Sequence, residues 1–196
     1  MGDLDEKISE ALEQARESRL NSVIALLVAI AATLMALDGI KDGNVGQAMA
    51  QAQAHAVDAW SYYQAKSTKQ NIAEATVDTL QGLRASAAPA AAADLDKRIA
   101  AYQAQVARYE KEKNDVKAQA EGYQAEYDRL NLHDDQFDLS DAGFSVAIAL
   151  FGVTALTRKR WLLGVAGVFL LLGLAFGVAG FMEWSLHPDL LMKWLS

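Results

Sequence analysis

Apolar residues fall in three long blocks along this 196-residue chain, and a polar stretch of roughly 100 residues separates the first block from the second. Residues 20–37 are an uncharged run of 18, enough for a helix to cross a hydrocarbon core of ~30 Å. Residues 139–156 form the second block, with one acid, Asp141, near its start. Residues 161–182 form the third, 22 residues without a charge. A soluble helix of that length would carry a polar stripe, and this one carries none. Residues 157–160 join the last two blocks as a short basic turn. The pattern predicts three transmembrane helices, the last two paired as a hairpin.

The polar stretch, residues 38–138, has a helical period of its own. Leu95, Ile99, Tyr102, Val106, Tyr109, Lys113, Val116, Ala120, Tyr123, Tyr127 and Leu130 step by alternating fours and threes. That is an a/d seam held for about five heptads, interrupted by one charge at Lys113. Asp94 stands where an N-cap is expected. The segment from Asn44 to about Ala87 is predicted to be helical as well. Its seam is built of small residues: Val45, Met49, Ala52, Ala56, Ala59 and Tyr63, then Ala73, Val77 and Leu80. Ile72, Thr76 and Leu83 make a second apolar line, and a helix with two lines has two partners. One is the hairpin mate and the other a neighbouring subunit. Pro89 breaks the alanine-rich run at residues 86–93 and sets the bend. No alternation of apolar and polar residues signals a strand. The expected fold class is all-α: an integral membrane protein with three transmembrane helices and a long antiparallel coiled-coil hairpin between the first and second.

Composition agrees with two populations of residues. The chain is 52% hydrophobic yet 22% charged, and its mean hydropathy is +0.03. Its net charge is −7 and no basic block exceeds three residues, which argues against nucleic-acid binding. Cysteine is absent. Disulfides, thiolate catalysis, zinc–thiolate sites and iron–sulfur clusters are excluded with it. Residues 1–19 are expected to form an amphipathic helix. Their acids, followed by an over-long apolar run, do not fit a cleaved signal peptide.

Arg16 and Arg19 precede the first span, and Arg158, Lys159 and Arg160 form the densest basic cluster in the chain. Three spans put both groups on one side, and short basic loops stay in the cytoplasm. The N-terminus and turn are therefore expected in the cytoplasm, with the hairpin and C-terminus across the membrane. Residues 183–196 are expected to close the chain as an interfacial helix. Pro188 and Asp189 stand at its start, and Leu190, Leu191, Trp194 and Leu195 lie toward lipid.

The most unusual string is Trp60-Ser61-Tyr62-Tyr63-Gln64-Ala65-Lys66-Ser67-Thr68-Lys69-Gln70. As packing, its rings fill space over Ala118, Ala120 and Gly122, which a bend at Pro89 brings opposite Trp60. As function, Trp60, Tyr62, Tyr63, Lys66, Lys69 and Gln70 offer a recognition surface, or a cage with cation–π contacts. This string, the acidic start, the first span, the charged coiled-coil stretch and the C-terminal hydrophobic hairpin together resemble a bacterial membrane-protein family, domain of unknown function 4337. The resemblance implies a bacterial integral protein of the inner membrane. That family has no established activity, so it supplies no catalytic residue.

Other candidate chemistry is sparse. His55, His133 and His187 form no metal-binding pair. Residues 133–138 offer oxygen ligands to a divalent cation, or caps to the helix that follows. Gly173 and Gly177 make a GxxxG in the third span, suited to close packing within the hairpin or between subunits. Asp38, Asp141 and Glu183 stand at the outer ends of the spans. In one subunit they are interface acids; in a ring they would form an acidic mouth favouring cations. No nucleophile stands beside a base. The expectation is no enzyme, no catalytic residue, no cofactor and no bound metal. The expected partners are membrane lipid, further copies of the chain and an unidentified protein. The function read from these features is a scaffolding membrane protein that self-associates and projects a helical stalk. The alternative is a pore-forming or channel-modulating subunit.

Overall fold

The computed structural model describes residues 2–186. Over those residues the chain is all-helical: α1, Gly2–Ala85; α2, Pro89–Thr157; α3, Arg160–Phe181. Each helix holds a stretch long and apolar enough to cross a membrane. Of the expected C-terminal helix, Pro188, Asp189, Leu190, Leu191, Trp194 and Leu195 lie outside the described residues.

The helices run further than their sequence signals. α1 carries the acidic N-terminal segment, the first apolar block and one strand of the hairpin without a break, through Gly39, Gly43 and Gly46. Glycine costs about 1 kcal/mol relative to alanine in a helix. Here the helix is already nucleated on both sides, and each added residue gains a hydrogen bond. α2 crosses residues 131–141 in the same way. Two expectations are corrected as a result. Asp94 is not a cap, because α2 starts at Pro89, whose fixed ring suits the first helical position; Asp94 instead accepts from Arg98 at 3.0 Å. The acids at 134–138 cap nothing either, because they lie inside α2.

The chain divides into two compact units. One comprises residues 48–128. There α1 and α2 lie antiparallel. Arg84 pairs with Asp96 and Lys66 with Glu112, and the rings of His55 and Tyr123 stack with centroids 5.1 Å apart. The register is the one that sets Trp60 level with Ala118. Met49, Ala52, Ala56, Ala73 and Val77 of α1 are buried against Ile99, Val116 and Ala120 of α2. Lys66 and Gln70 occupy the two seam positions that the apolar pattern skips, and they are only 9% and 8% exposed. The expectation that Gly122 makes room for a ring is corrected. A Cβ there would meet nothing within 4 Å, and Trp60 rests edge-on against Tyr63 of its own helix, centroids 5.6 Å apart.

The other unit comprises residues up to 47 and from 129 onward. Three buried lines build it. On α1, Ile24, Ala31, Asp38 and Val45 recur every seven residues. On α2, Phe137, Ser140, Phe144, Ala147, Phe151 and Thr154 alternate by threes and fours, each at most 1% exposed. On α3 the line is Ala166, Gly173, Gly177 and Gly180.

Glycine sets the spacing of α2 and α3. A Cβ on Gly143 would lie 2.8 Å from the Cα and N of Gly173, backbone against backbone. A Cβ on Gly180 would lie 2.8 Å from the Phe137 ring. Gly173 and Gly177 thus face into the unit. Fully buried Gln136 fastens the chain after α3: its Nε2 donates to the carbonyls of Trp184 and Leu186 at 2.7 and 2.8 Å. At the other end Arg158 adopts a left-handed conformation, φ 58°. Its N–H donates to Thr154 O at 2.8 Å, and its guanidinium pairs with Glu17 of α1. Leu26, Leu37, Leu156 and Leu171 stay exposed on the outer faces, a surface suited to lipid.

Gly143→Ala is expected to lower hairpin stability by about 1–3 kcal/mol, since the backbone it meets cannot rotate away. Gly167→Ala, whose Cβ meets open space, is expected to be neutral. Melting of the two variants in detergent measures the difference, and equal melting temperatures would refute the close approach.

Candidate functional site

Asp38 holds a position in an otherwise apolar buried line and is 4% exposed. Its Oδ2 contacts the Oγ of Ser140 on α2, and that same Oγ lies 2.7 Å from the carbonyl of Gly173 on α3. The carboxyl fits because Gly177 has no side chain: a Cβ there would lie 2.8 Å from both Asp38 Oδ2 and Ser140 Oγ. A serine hydroxyl carries one proton, and here it faces two oxygens. If the carboxyl is protonated, it donates to Ser140 while Ser140 donates to Gly173, and every group is satisfied. If the carboxyl is ionised, one contact lacks a proton.

Asp42, one turn beyond on α1, stands within hydrogen-bonding reach of Asp134 of α2. A hydrogen bond between two carboxyls contains one shared proton. Asp134 is pushed up to about 6, first by burial and then by the charges of Asp42, Asp138 and Asp135. Asp42 is raised too, by burial and then by Asp138, with Asp38 adding to it. The Oδ1 atoms of Asp42 and Asp141 are buried without a hydrogen-bond partner. Six carboxyls from two helices, those of Asp38, Asp42, Asp134, Asp135, Asp138 and Asp141, thus bear on one another, and the arrangement can hold protons or attract a cation. Among the described residues no group of three or more His, Asp or Glu side chains is disposed to hold a metal ion.

Of the three acids expected at the span ends, Asp38 and Asp141 belong to this cluster. Glu183 pairs with Arg129 at 3.4 Å. Asp42, Asp134 and Asp138 were not singled out as acids acting with them. Their signal was available. Asp38 and Asp42 are four apart, and Asp134, Asp138 and Asp141 step by four and three, so each set shares a helix face.

The aromatic string in the other unit divides by face. Tyr63, Lys66 and Gln70 stand on the seam; Trp60, Tyr62 and Lys69 stand outside it. Lys66 pairs with Glu112, and its Nζ lies 4.9 Å from the ring centroid of Tyr62 and 5.7 Å from that of Tyr109. The Glu112 carboxylate raises the Lys66 ammonium, with Tyr62 second, and Lys66 in turn holds Glu112 below the usual carboxylate range. Gln70 donates to Glu74 at 2.9 Å, while its own Oε1 is buried and unpartnered. The cation over the rings is therefore the protein's own lysine.

Residues 20–183 match the family described as a domain of unknown function, DUF4337. The match covers most of the chain, which belongs to that family. No curated protein and no solved structure matches it.

An acid whose value is higher in the folded state stabilises folding while it is protonated. For Asp134 that contribution is full below 3.8 and is lost as pH rises through about 6. Asp134→Asn is expected to flatten that part of the pH profile. At neutral pH it should raise stability by about 1 kcal/mol after solvent screening. Melting temperature against pH for the two proteins measures this; parallel profiles would refute the shared-proton cluster.

Proposed function

We propose that this DUF4337 member is a scaffolding protein of the bacterial inner membrane. Its three apolar helices span the bilayer, with the N-terminus and the basic turn in the cytoplasm. The hairpin is a coiled-coil arm on the periplasmic side, through which copies associate. The observation that carries this reading is the seam. Buried and half-buried positions recur at three- and four-residue steps along both helices of the arm.

Self-association is supported by the outer face of α1. Ile72 and Leu83 are 62% and 56% exposed. The hydroxyls of Thr68, Thr76 and Thr79 donate to carbonyls of their own helix four residues back, at 3.0, 2.7 and 2.8 Å. Their methyl groups are left to face outward, and the line carries no charge. A second reading, a channel-modulating subunit, is favoured by the carboxyl cluster around Asp38 and Asp42, which would draw cations toward the ends of the spans.

Light scattering in mild detergent is expected to return a homo-oligomer. Replacing both Ile72 and Leu83 with Glu is expected to loosen it while helical circular dichroism stays unchanged. A wild-type monomer would defeat the proposal. Cation flux through liposomes containing the protein would favour the second reading instead. For orientation, a cysteine placed at Ala91 of this cysteine-free chain is expected to react with an impermeant thiol reagent on intact cells. Reaction only after lysis would reverse the topology.

A further inference from the structure

A cavity of about 580 Å³ opens beside the basic turn, where the segment of α1 that leads into the first apolar block meets Arg158 and Arg160. α1 contributes Glu13, Arg16, Glu17 and Leu20 to its walls; Arg158 and Arg160 come from the turn and the start of α3. Two of these charges cancel, since Arg158 pairs with Glu17. Among the described residues Arg16 and Arg160 have no ion-pair partner. Two guanidinium groups thus line one cavity with only Glu13 left against them.

A second feature adds positive potential there. The N-terminus of α3 opens at Arg160, and the preceding Lys159 is extended, φ −82° and ψ 99°, with no side-chain cap. The first amides of a helix left uncapped favour an anion. A third feature sets the depth. Leu20 begins the first apolar block, and exposed Trp161 (66%) and Leu156 (86%) flank the turn. The cavity therefore sits where charged chain meets apolar chain, the level of lipid headgroups.

We propose that Arg16 and Arg160 bind the phosphate of an anionic membrane lipid, with the acyl chains lying along the apolar surface beside Leu156 and Trp161. Guanidinium matches phosphate oxygens with paired donors. Glu13 and the Glu17–Arg158 pair border the anion and favour a monoanionic phosphodiester over a more highly charged headgroup. The inference rests on the membrane reading above.

The test uses the full chain in mild detergent, incubated with phosphatidylglycerol or phosphatidylcholine, with retained lipid counted by native mass spectrometry. An arginine near a membrane surface contributes about fivefold, so two give a preference for phosphatidylglycerol of roughly 25-fold. The variant carrying both Arg16→Gln and Arg160→Gln is expected to lose that preference. Equal retention of the two lipids by the wild-type chain would overturn the site without recourse to any variant. Displacement of phosphatidylglycerol by inorganic phosphate at comparable concentration would overturn the lipid as ligand in favour of a free anion. Alkaline washing of cell membranes separates the two proposals. A chain that stays with the membrane yet shows no lipid preference overturns the pocket alone, and a chain that washes off overturns the membrane reading with it.

Discussion

Gly143 and Gly173 meet backbone to backbone, and the arrangement of the apolar unit depends on that contact. With α3 drawn so close, Ser140 reaches the carbonyl of Gly173 and the ring of Phe137 lies over Gly180. Asp38 fits in the space left by Gly177. Close-packed helices with small residues at the contact are held by dispersion and interhelical hydrogen bonds. Both are present here, and both require the missing side chains. A larger group at any of these glycines would separate the helices and strand a buried carboxyl without its hydroxyl, which costs more than the lost contact alone.

Each unit inserts polar groups into an otherwise apolar line. Asp38 interrupts Ile24, Ala31 and Val45; Lys66 and Gln70 interrupt the alanine seam. Apolar lines with a seven-residue repeat pack nearly as well after a slip of one heptad. A polar residue with a single matching partner does not, so Lys66 with Glu112 and Asp38 with Ser140 specify register. The cost is a buried polar group in each case, and Gln70 Oε1 goes unpaired.

Much of the architecture was legible because helical period is written in apolar spacing. The seams on both strands of the hairpin coincide with the buried faces, and Pro89 marks the return. What escaped the sequence has a common cause. Lys66 and Gln70 belong to the seam but do not look apolar, so the pattern has a gap there. Gly39, Gly43 and Gly46, and the acids at 134–138, resemble boundaries, yet the helices pass through them. The carboxyl cluster needs a cross-helix register that the apolar pattern supplies only after the two helices are aligned. The GxxxG of α3 announced close packing, and the structure sets Gly143 of α2 against Gly173. Gly122 looked like a socket for a ring but faces open space.

The link between α2 and α3 is two residues, Arg158 and Lys159. Fully stretched, such a link spans about 10 Å. That leaves α3 no route to any first neighbour but α2. The two apolar segments are therefore tied together as one object with one combined apolar character. The apolar block of α2 is the less apolar of the pair, with Ser140 and Asp141 at its start. α3 is uncharged after Arg160 through its full length. The short turn thus couples a polar-bearing segment to a wholly apolar one, and α2 can hold a buried carboxyl cluster without having to be strongly apolar on its own.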